Sequence, residues 1–328
     1  MEMIKTNKVY DAYWQFAYNR QNAFLNRYYG YDQPWVQDAI IQTYKFTNAY
    51  RVLDRVSQYL IKNVIYRQGD YTSDDIVFRI LLFKVFNKIE TWQYLEECLG
   101  DIRYSNFNEA KYCELLEELI SNNKRIYSAA YIMPSGTSAF GFSQKHKNNL
   151  ALLRFMMEDG VPSKLARARS LKEVYEILLF YPTIGPFLAF QYAIDINYSE
   201  LCDFSEMSFV VAGPGAQSGI RKCFNNSGHS DEYLIRWTAE HQYEEFFRRG
   251  LNFPTLYGRE LQLIDCQNLF CETDKYSRVL FPEIEGKHNR TKIKQKFTPN
   301  NQKIELFFPP KWDIRTEGEI ANGIFNKR

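Results

Sequence analysis

The stretch Leu179–Asp195 reads LFYPTIGPFLAFQYAID, and it breaks a helical pattern with Pro182, Gly185 and Pro186 before resuming it at once. Upstream, Leu171, Val174, Tyr175, Leu178 and Leu179 form an apolar stripe at helical spacing, with Ser170 placed to cap it. The stripe predicts a helix ending near Tyr181. Pro186 then stands in the first turn of a second helix, where its missing N–H costs little. Ile184 can tuck beneath the turn, and Gly185 permits positive φ or a close backbone approach. The pattern is that of a tight helix–hairpin–helix. Unpaired N–H groups at the start of the second helix favour an anion, and a DNA phosphate fits without any reading of sequence. An ordinary corner between helices, with no ligand, fits the same spacing.

Working outward, the chain reads as mostly helix. Periodic segments are expected over Val9–Tyr29, Tyr50–Tyr66, Asp74–Phe86, Asn108–Ile120, Asn148–Met157, Glu232–Arg248 and Leu261–Ser277. Pro34 reads as the start of a further helix, and Thr91 as the cap of one over Trp92–Leu99. After Gly286 helical periodicity gives way to TKIKQKF, whose alternation predicts a strand or an extended arm. Thr316–Arg328 reads as a frayed end. Three regions are expected: an N-terminal helical subdomain over 1–165, a hairpin and active-site subdomain over 166–285, and a basic arm over 286–328.

The 328 residues are enough for one large or two modest domains. Lys and Arg number 41 against 39 Asp and Glu, so nucleic-acid affinity requires a local patch rather than a polycationic chain. Lys287, Arg290, Lys292, Lys294 and Lys296 supply the one dense basic cluster, suited to a solvated tail or to a DNA backbone. The six cysteines form no CxxC pair, which points to reduced thiols and a cytoplasmic setting. No apolar run is long enough to span a bilayer, and no signal core opens the chain. His146, His229, His241 and His288 show no metal spacing, and neither metal nor cofactor is expected.

LLFYPTIGPFLAF resembles the hairpin signature of helix–hairpin–helix base-excision DNA glycosylases, with Pro182, Ile184, Gly185 and Ala189 matching. Thr183 stands at the first glycine of that signature and Leu188 at its threonine. In that family a catalytic aspartate follows the hairpin at a characteristic spacing. Asp203 lies closest to it, with Asp195 earlier. The four-cysteine iron–sulfur loop of many such enzymes is absent.

Three segments resemble a second, less familiar family: WVQDAIIQTYKFTNAYRVLDRVSQYLI, FVVAGPGAQSGIRKCF and LQLIDCQNLFCETDKYSR. It is named for alpha-glutamyl/putrescinyl-thymine pyrophosphorylases and for the helical domain of hydroxymethyl-deoxyuridine DNA kinases. The likeness covers roughly Tyr13 to Phe281. It implies a mainly α, glycosylase-like fold and a link to modified pyrimidines in phage DNA.

AGPGAQSG does not make a phosphate loop, because five residues separate Gly213 from Gly219 and Ile220 follows where a Walker loop requires lysine. That speaks against ATP binding through it. Gly213 and Gly215 fit either a turn whose amides approach a sugar-phosphate or a plain turn between helices. Asp265, Asn268, Glu272 and Lys275 fall at steps of three and four, lining one helical face. Such a face is commonly just solvated, but the resemblance favours function. An ionised Asp265 near a helix start suits an oxocarbenium-like sugar, and Asp203 is the second candidate. Glu272, Lys275 and Arg278 are candidates to hold the site or bind phosphate. Asn48, Arg51, Asp54 and Arg55 form either a salt-bridge cluster or a base pocket.

The expected activity is that of a DNA glycosylase, a hydrolase. It would excise a hypermodified pyrimidine flipped from double-stranded DNA, in anti-phage defence. Thr183, Ile184 and Gly185 would hold the backbone, with Gly213, Gly215, Arg278, Lys292 and Lys294 as further contacts. The alternatives are a transferase acting on an activated 5-hydroxymethyl pyrimidine with the glycosidic bond left intact, and a DNA-binding module without catalysis. Neither a membrane nor a protein partner is expected.

Overall fold

The computed structural model describes residues 4–225, 228–287, 290–300 and 302–315. His288 and the expected frayed end at 316–328 lie outside the described residues. The fold is mainly α, as expected: among the described residues the only β pairing is in isolated bridges. In chain order the helices are α1 (Lys8–Tyr28), α2 (Ala39–Thr43), α3 (Arg55–Tyr59), α4 (Ser73–Phe86) and α5 (Ile89–Leu99). Next come α6 (Glu109–Ser121), α7 (Thr137–Phe140), α8 (Lys145–Glu158), α9 (Val161–Ala166) and α10 (Leu171–Leu179). The last are α11 (Pro186–Asn197), α12 (Pro214–Cys223), α13 (Asp231–Glu240), α14 (Gln242–Arg248) and α15 (Leu263–Leu280).

Two compact units emerge. One joins the chain up to Asp54 to Phe209–Leu306, and the other joins Arg55–Ser208 to Phe307–Ile314. Neither 165 nor 285 is a boundary between them.

In the first unit, α12 lies hard against α15. A Cβ on Gly219 would sit 2.0 Å from the Phe270 carbonyl oxygen, and one on Gly215 would sit 2.2 Å from Cys271 Sγ. AGPGAQSG is therefore neither a phosphate loop nor a free turn. Gly213 caps a helix that Pro214 opens, and the next two glycines remove the side chains that would hold two backbones apart. The contact is sealed by buried charge: Lys222 Nζ lies 3.1 Å from Asp274 Oδ1, which also accepts from Ser218 Oγ at 2.9 Å. On α1 the aromatic run becomes core, with the Tyr13 ring 4.5 Å from Phe270 and the Trp14 ring 4.7 Å from Phe246.

In the second unit α4 is apolar almost all round and buried, as a central helix must be. Its Arg79 is fully buried, yet satisfied by the carbonyls of Val64 and Ile102 at 2.9 and 2.8 Å. The decisive stretch forms the expected hairpin. Ser170 Oγ accepts from the Glu173 N–H at 3.1 Å, α10 ends at Leu179, and Pro186 opens α11. Thr183, standing at the signature's glycine, adopts φ 70°, and Ile184 plugs the turn at 3% exposure.

Elsewhere tertiary bonds redraw the helices. No helix starts at Pro34; Asp38 caps α2 instead, accepting from the Ile40 N–H at 2.9 Å. The single helix expected over Tyr50–Tyr66 is a 3-10 turn Arg51–Leu53, then α3, then a π-helix Leu60–Ile65. Thr91 lies inside α5, and its hydroxyl donates to the Ile126 carbonyl at 2.9 Å. The helix expected over Glu232–Arg248 breaks at His241 into α13 and α14.

Candidate functional site

The LIDCQNLFCETDKYSR segment is α15, and its polar face is buried rather than solvated. Asp265 is 4% exposed and accepts the N–H of Arg51 at 2.7 Å and that of Gln262 at 3.0 Å. Glu272 accepts the Thr47 N–H at 3.1 Å and pairs with Lys275 at 2.8 Å. Lys275 Nζ also donates to the Lys45 carbonyl at 3.1 Å. The two carboxylates and Lys275 thus clamp one segment, 45–51, by backbone groups that any sequence would present. Asp265 caps α15 and fixes that loop. The half-buried amide of Asn268 lies between them on the helix.

The clamped loop closes on itself. Asp54 Oδ1 accepts the Asn48 N–H at 2.8 Å, and Asn48 Nδ2 donates to the Leu53 carbonyl at 2.7 Å. Arg20 reaches in from α1, donating from Nε to the Thr47 carbonyl at 2.9 Å and from Nη2 to the Asn48 side chain. Burial raises Asp54 to a pKa of about 6, with the Glu272 charge adding; the Asn48 N–H, Arg20 and Arg51 oppose it. Burial also lowers Arg20 to about 10, against the pull of Asp54 and Glu272. A half-buried carboxylate titrating near neutrality, backed by a guanidinium, is suited to accept a proton from an alcohol.

Asn48, Arg51 and Asp54 therefore do cluster, although not on a helical face. Arg55 does not join them: it belongs to the other unit and faces Glu90 at 3.6 Å. Arg20 escaped the sequence reading. Its signal is a cation on the stripe that buries Tyr13, Phe16 and Ala17.

The arm is extended, as expected. Lys45 N–H donates to the Gln295 carbonyl at 3.1 Å and Phe297 N–H to the Thr43 carbonyl at 3.0 Å, around an antiparallel bridge at Tyr44 and Lys296. Lys292 and Lys294 are exposed. Arg278 is committed internally, to the Asp274 carboxylate and the Lys292 carbonyl. Gly213 caps α12, and Gly215 serves the α12–α15 contact.

In the second unit the hairpin turns Gly185 and Pro186 outward, and neighbouring Phe180 is 73% exposed. Asp203 is 85% exposed, with Lys311 Nζ at 3.8 Å. Asp195 is buried and pairs with Lys84 at 3.0 Å. No helix among the described residues is long and apolar enough to cross a membrane.

The model of the 5-hmdU DNA kinase helical-domain family matches residues 7–286. A 5-hmdU DNA kinase of Bacillus phage SP10 is 25% identical over 286 residues, covering 82% of this chain and 45% of the relative. The chain thus spans a little under half the length of that curated relative. No solved structure matches. These matches overturn the expectation of an N-glycosylase and of any hydrolase: both names denote a DNA kinase, which is a transferase. Of the readings taken from the sequence, modification of a hydroxymethyl pyrimidine fits them better than base excision. The glycosylase likeness rests on the hairpin alone. With residues 7–286 matched end to end, this chain belongs to the 5-hmdU DNA kinase helical-domain family.

Proposed function

We propose that this chain engages DNA carrying 5-hydroxymethyl pyrimidines and supports group transfer at the hydroxymethyl oxygen, leaving the glycosidic bond intact. The observation that carries this reading is the family match across 7–286, which includes both the Asp54 cluster and the hairpin. In the transfer, the hydroxymethyl oxygen forms a bond to the terminal phosphorus of a nucleoside triphosphate. The bond from that phosphorus to the bridging oxygen breaks, the diphosphate leaves, and the hydroxyl proton passes to Asp54. Arg20 steadies the carboxylate, while Asp265, Glu272 and Lys275 hold its loop in place. Asn268 is the candidate to meet a base edge. The hairpin at Thr183–Gly185 and the exposed Lys292 and Lys294 track phosphates.

A recognition module serving a separate catalytic domain is the second reading. It is favoured by the share of the relative matched, 45%, and by the use of AGPGAQSG in helix packing.

The test is to incubate the chain with 5-hydroxymethyl-deoxyuridine DNA and ATP, digest to nucleosides, and weigh them. Group transfer gives a phosphorylated nucleoside with no free base, reduced about a hundredfold in Asp54→Asn. Tight binding without product selects the recognition module. Release of free base contradicts both.

A further inference from the structure

The chain leaves the first unit at Leu306, and the next eight residues, FFPPKWDI over Phe307–Ile314, dock in the second. Pro309 and Pro310 fix φ, so the segment has less freedom to lose on docking than an ordinary chain. Phe308 is buried, and the Trp312 ring lies 5.7 Å from that of Tyr198. The Phe307 N–H donates to Gln58 Oε1 at 2.8 Å.

The segment docks on the foot of α11, the second helix of the hairpin. The last carbonyls of a helix have no partner within it and carry the negative end of its dipole. Here the chain turns at once, and Asn197 shapes the turn. Its side chain donates to the Phe204 carbonyl at 2.9 Å and accepts the Phe204 N–H at 3.0 Å. The Ser199 hydroxyl donates to the Ile196 carbonyl at 2.7 Å. Both side chains are buried. Bonds within residues 196–204 therefore hold the turn, and its shape does not depend on the docked segment.

Three carbonyls of this turn converge on one atom. Lys311 Nζ donates to the carbonyls of Asn197 at 2.6 Å, of Ser199 at 2.9 Å, and of Cys202. An ammonium has three N–H donors, and each finds one carbonyl. Asp203 Oδ1 lies 3.8 Å away, and the Lys311 side chain is 9% exposed. Burial lowers the pKa of the amine, while the charges of Asp203, Glu200 and Glu206 oppose the fall. Carbonyl oxygens converging at the C-terminal end of a helix are ligands that small monovalent cations use in proteins.

We propose that the carbonyls of Asn197, Ser199 and Cys202 form a site for a small monovalent cation, which Lys311 fills from the chain itself, making Phe307–Ile314 a latch closed by a tethered ammonium. Its residues are distinct from those of the Asp54 cluster, so the two assignments can fail separately. With the Lys311 side chain removed, the turn presents three converging carbonyls without their donor, a costly arrangement that a free cation relieves.

The test compares the full chain in ammonium chloride and in choline chloride at equal ionic strength. Amide hydrogen exchange over 307–314 should be slow and alike in both salts for the parent. In choline, Lys311→Ala should exchange there at least about tenfold faster, the scale of lost charge-assisted bonds. Its melting temperature should rise saturably with ammonium and not with choline, which is too bulky for the cage, whereas the parent melts alike in both. Lys311→Arg keeps the charge, but its planar fork does not direct three N–H groups at one converging set of carbonyls. It should therefore loosen the segment as Lys311→Ala does, and it still decides the matter if Lys311→Ala fails to fold. Parent-like protection of 307–314 in either variant overturns the proposal, as does equal stabilisation of Lys311→Ala by the two salts.

Discussion

Asp54 shows how a single carboxyl can be set by its surroundings. Burial holds its pKa at about 6, above that of an unfolded aspartate. The folded chain therefore keeps this proton more tightly than the unfolded chain does. Stability gained from the neutral form is full below about pH 4 and is lost as pH rises through about 6. Asp54→Asn removes that loss, so the gap between parent and variant urea midpoints should change across this window and level off above it. A constant gap contradicts the shift. The buried pair Lys84–Asp195 offers a second residue-scale test, with side chains 3% and 1% exposed. Lys84→Ala strands Asp195 and should cost about 3–5 kcal/mol by denaturant titration, whereas Lys84→Met with Asp195→Leu should recover most of it. Neither partnership was legible in the sequence. Asp54 owes its raised pKa first to burial, with the Glu272 charge on α15 adding and Arg20 on α1 opposing, and these groups lie far apart along the chain.

At the level of elements, the hairpin follows from local signals, whereas Pro34 and Thr91, local signals too, neither open nor cap a helix. Ser170 capping α10, the break after Leu179 and the restart at Pro186 all follow from neighbours in sequence. The helix expected over Tyr50–Tyr66 failed because its bonds are not local: Asp265 takes the Arg51 N–H, and Asp54 folds back onto Asn48. The glycines of AGPGAQSG likewise make sense only against α15. Gly219→Ala pushes a Cβ into a backbone carbonyl and should destabilise by about 1–3 kcal/mol, read as a lower melting temperature. Gly185→Ala is the control. Its φ is −81° and nothing lies within 4 Å of the added Cβ, so stability should stay within about 0.5 kcal/mol. Equal effects at both positions contradict the close-packing account.

For the whole molecule, the mainly α class was visible in periodicity, and the family in segments spread along the chain. The chemistry was not. The hairpin invites a glycosylase reading, yet a hairpin that grips phosphate carries no information about which bond is altered. DNA engagement has its own signature here. If the arm contributes two phosphate contacts, Lys292→Ala with Lys294→Ala should reduce the log–log salt slope of binding by about 2, with little dependence on sequence. An unchanged slope removes the arm from the interface. The most direct measurement is a comparison of two duplexes identical except that one carries 5-hydroxymethyl-deoxyuridine where the other carries thymidine, titrated by fluorescence anisotropy at fixed salt. A hydroxyl met by a buried polar partner should tighten binding about tenfold; equal affinity for the two duplexes, with neither altered in mass after incubation with ATP, would contradict the account.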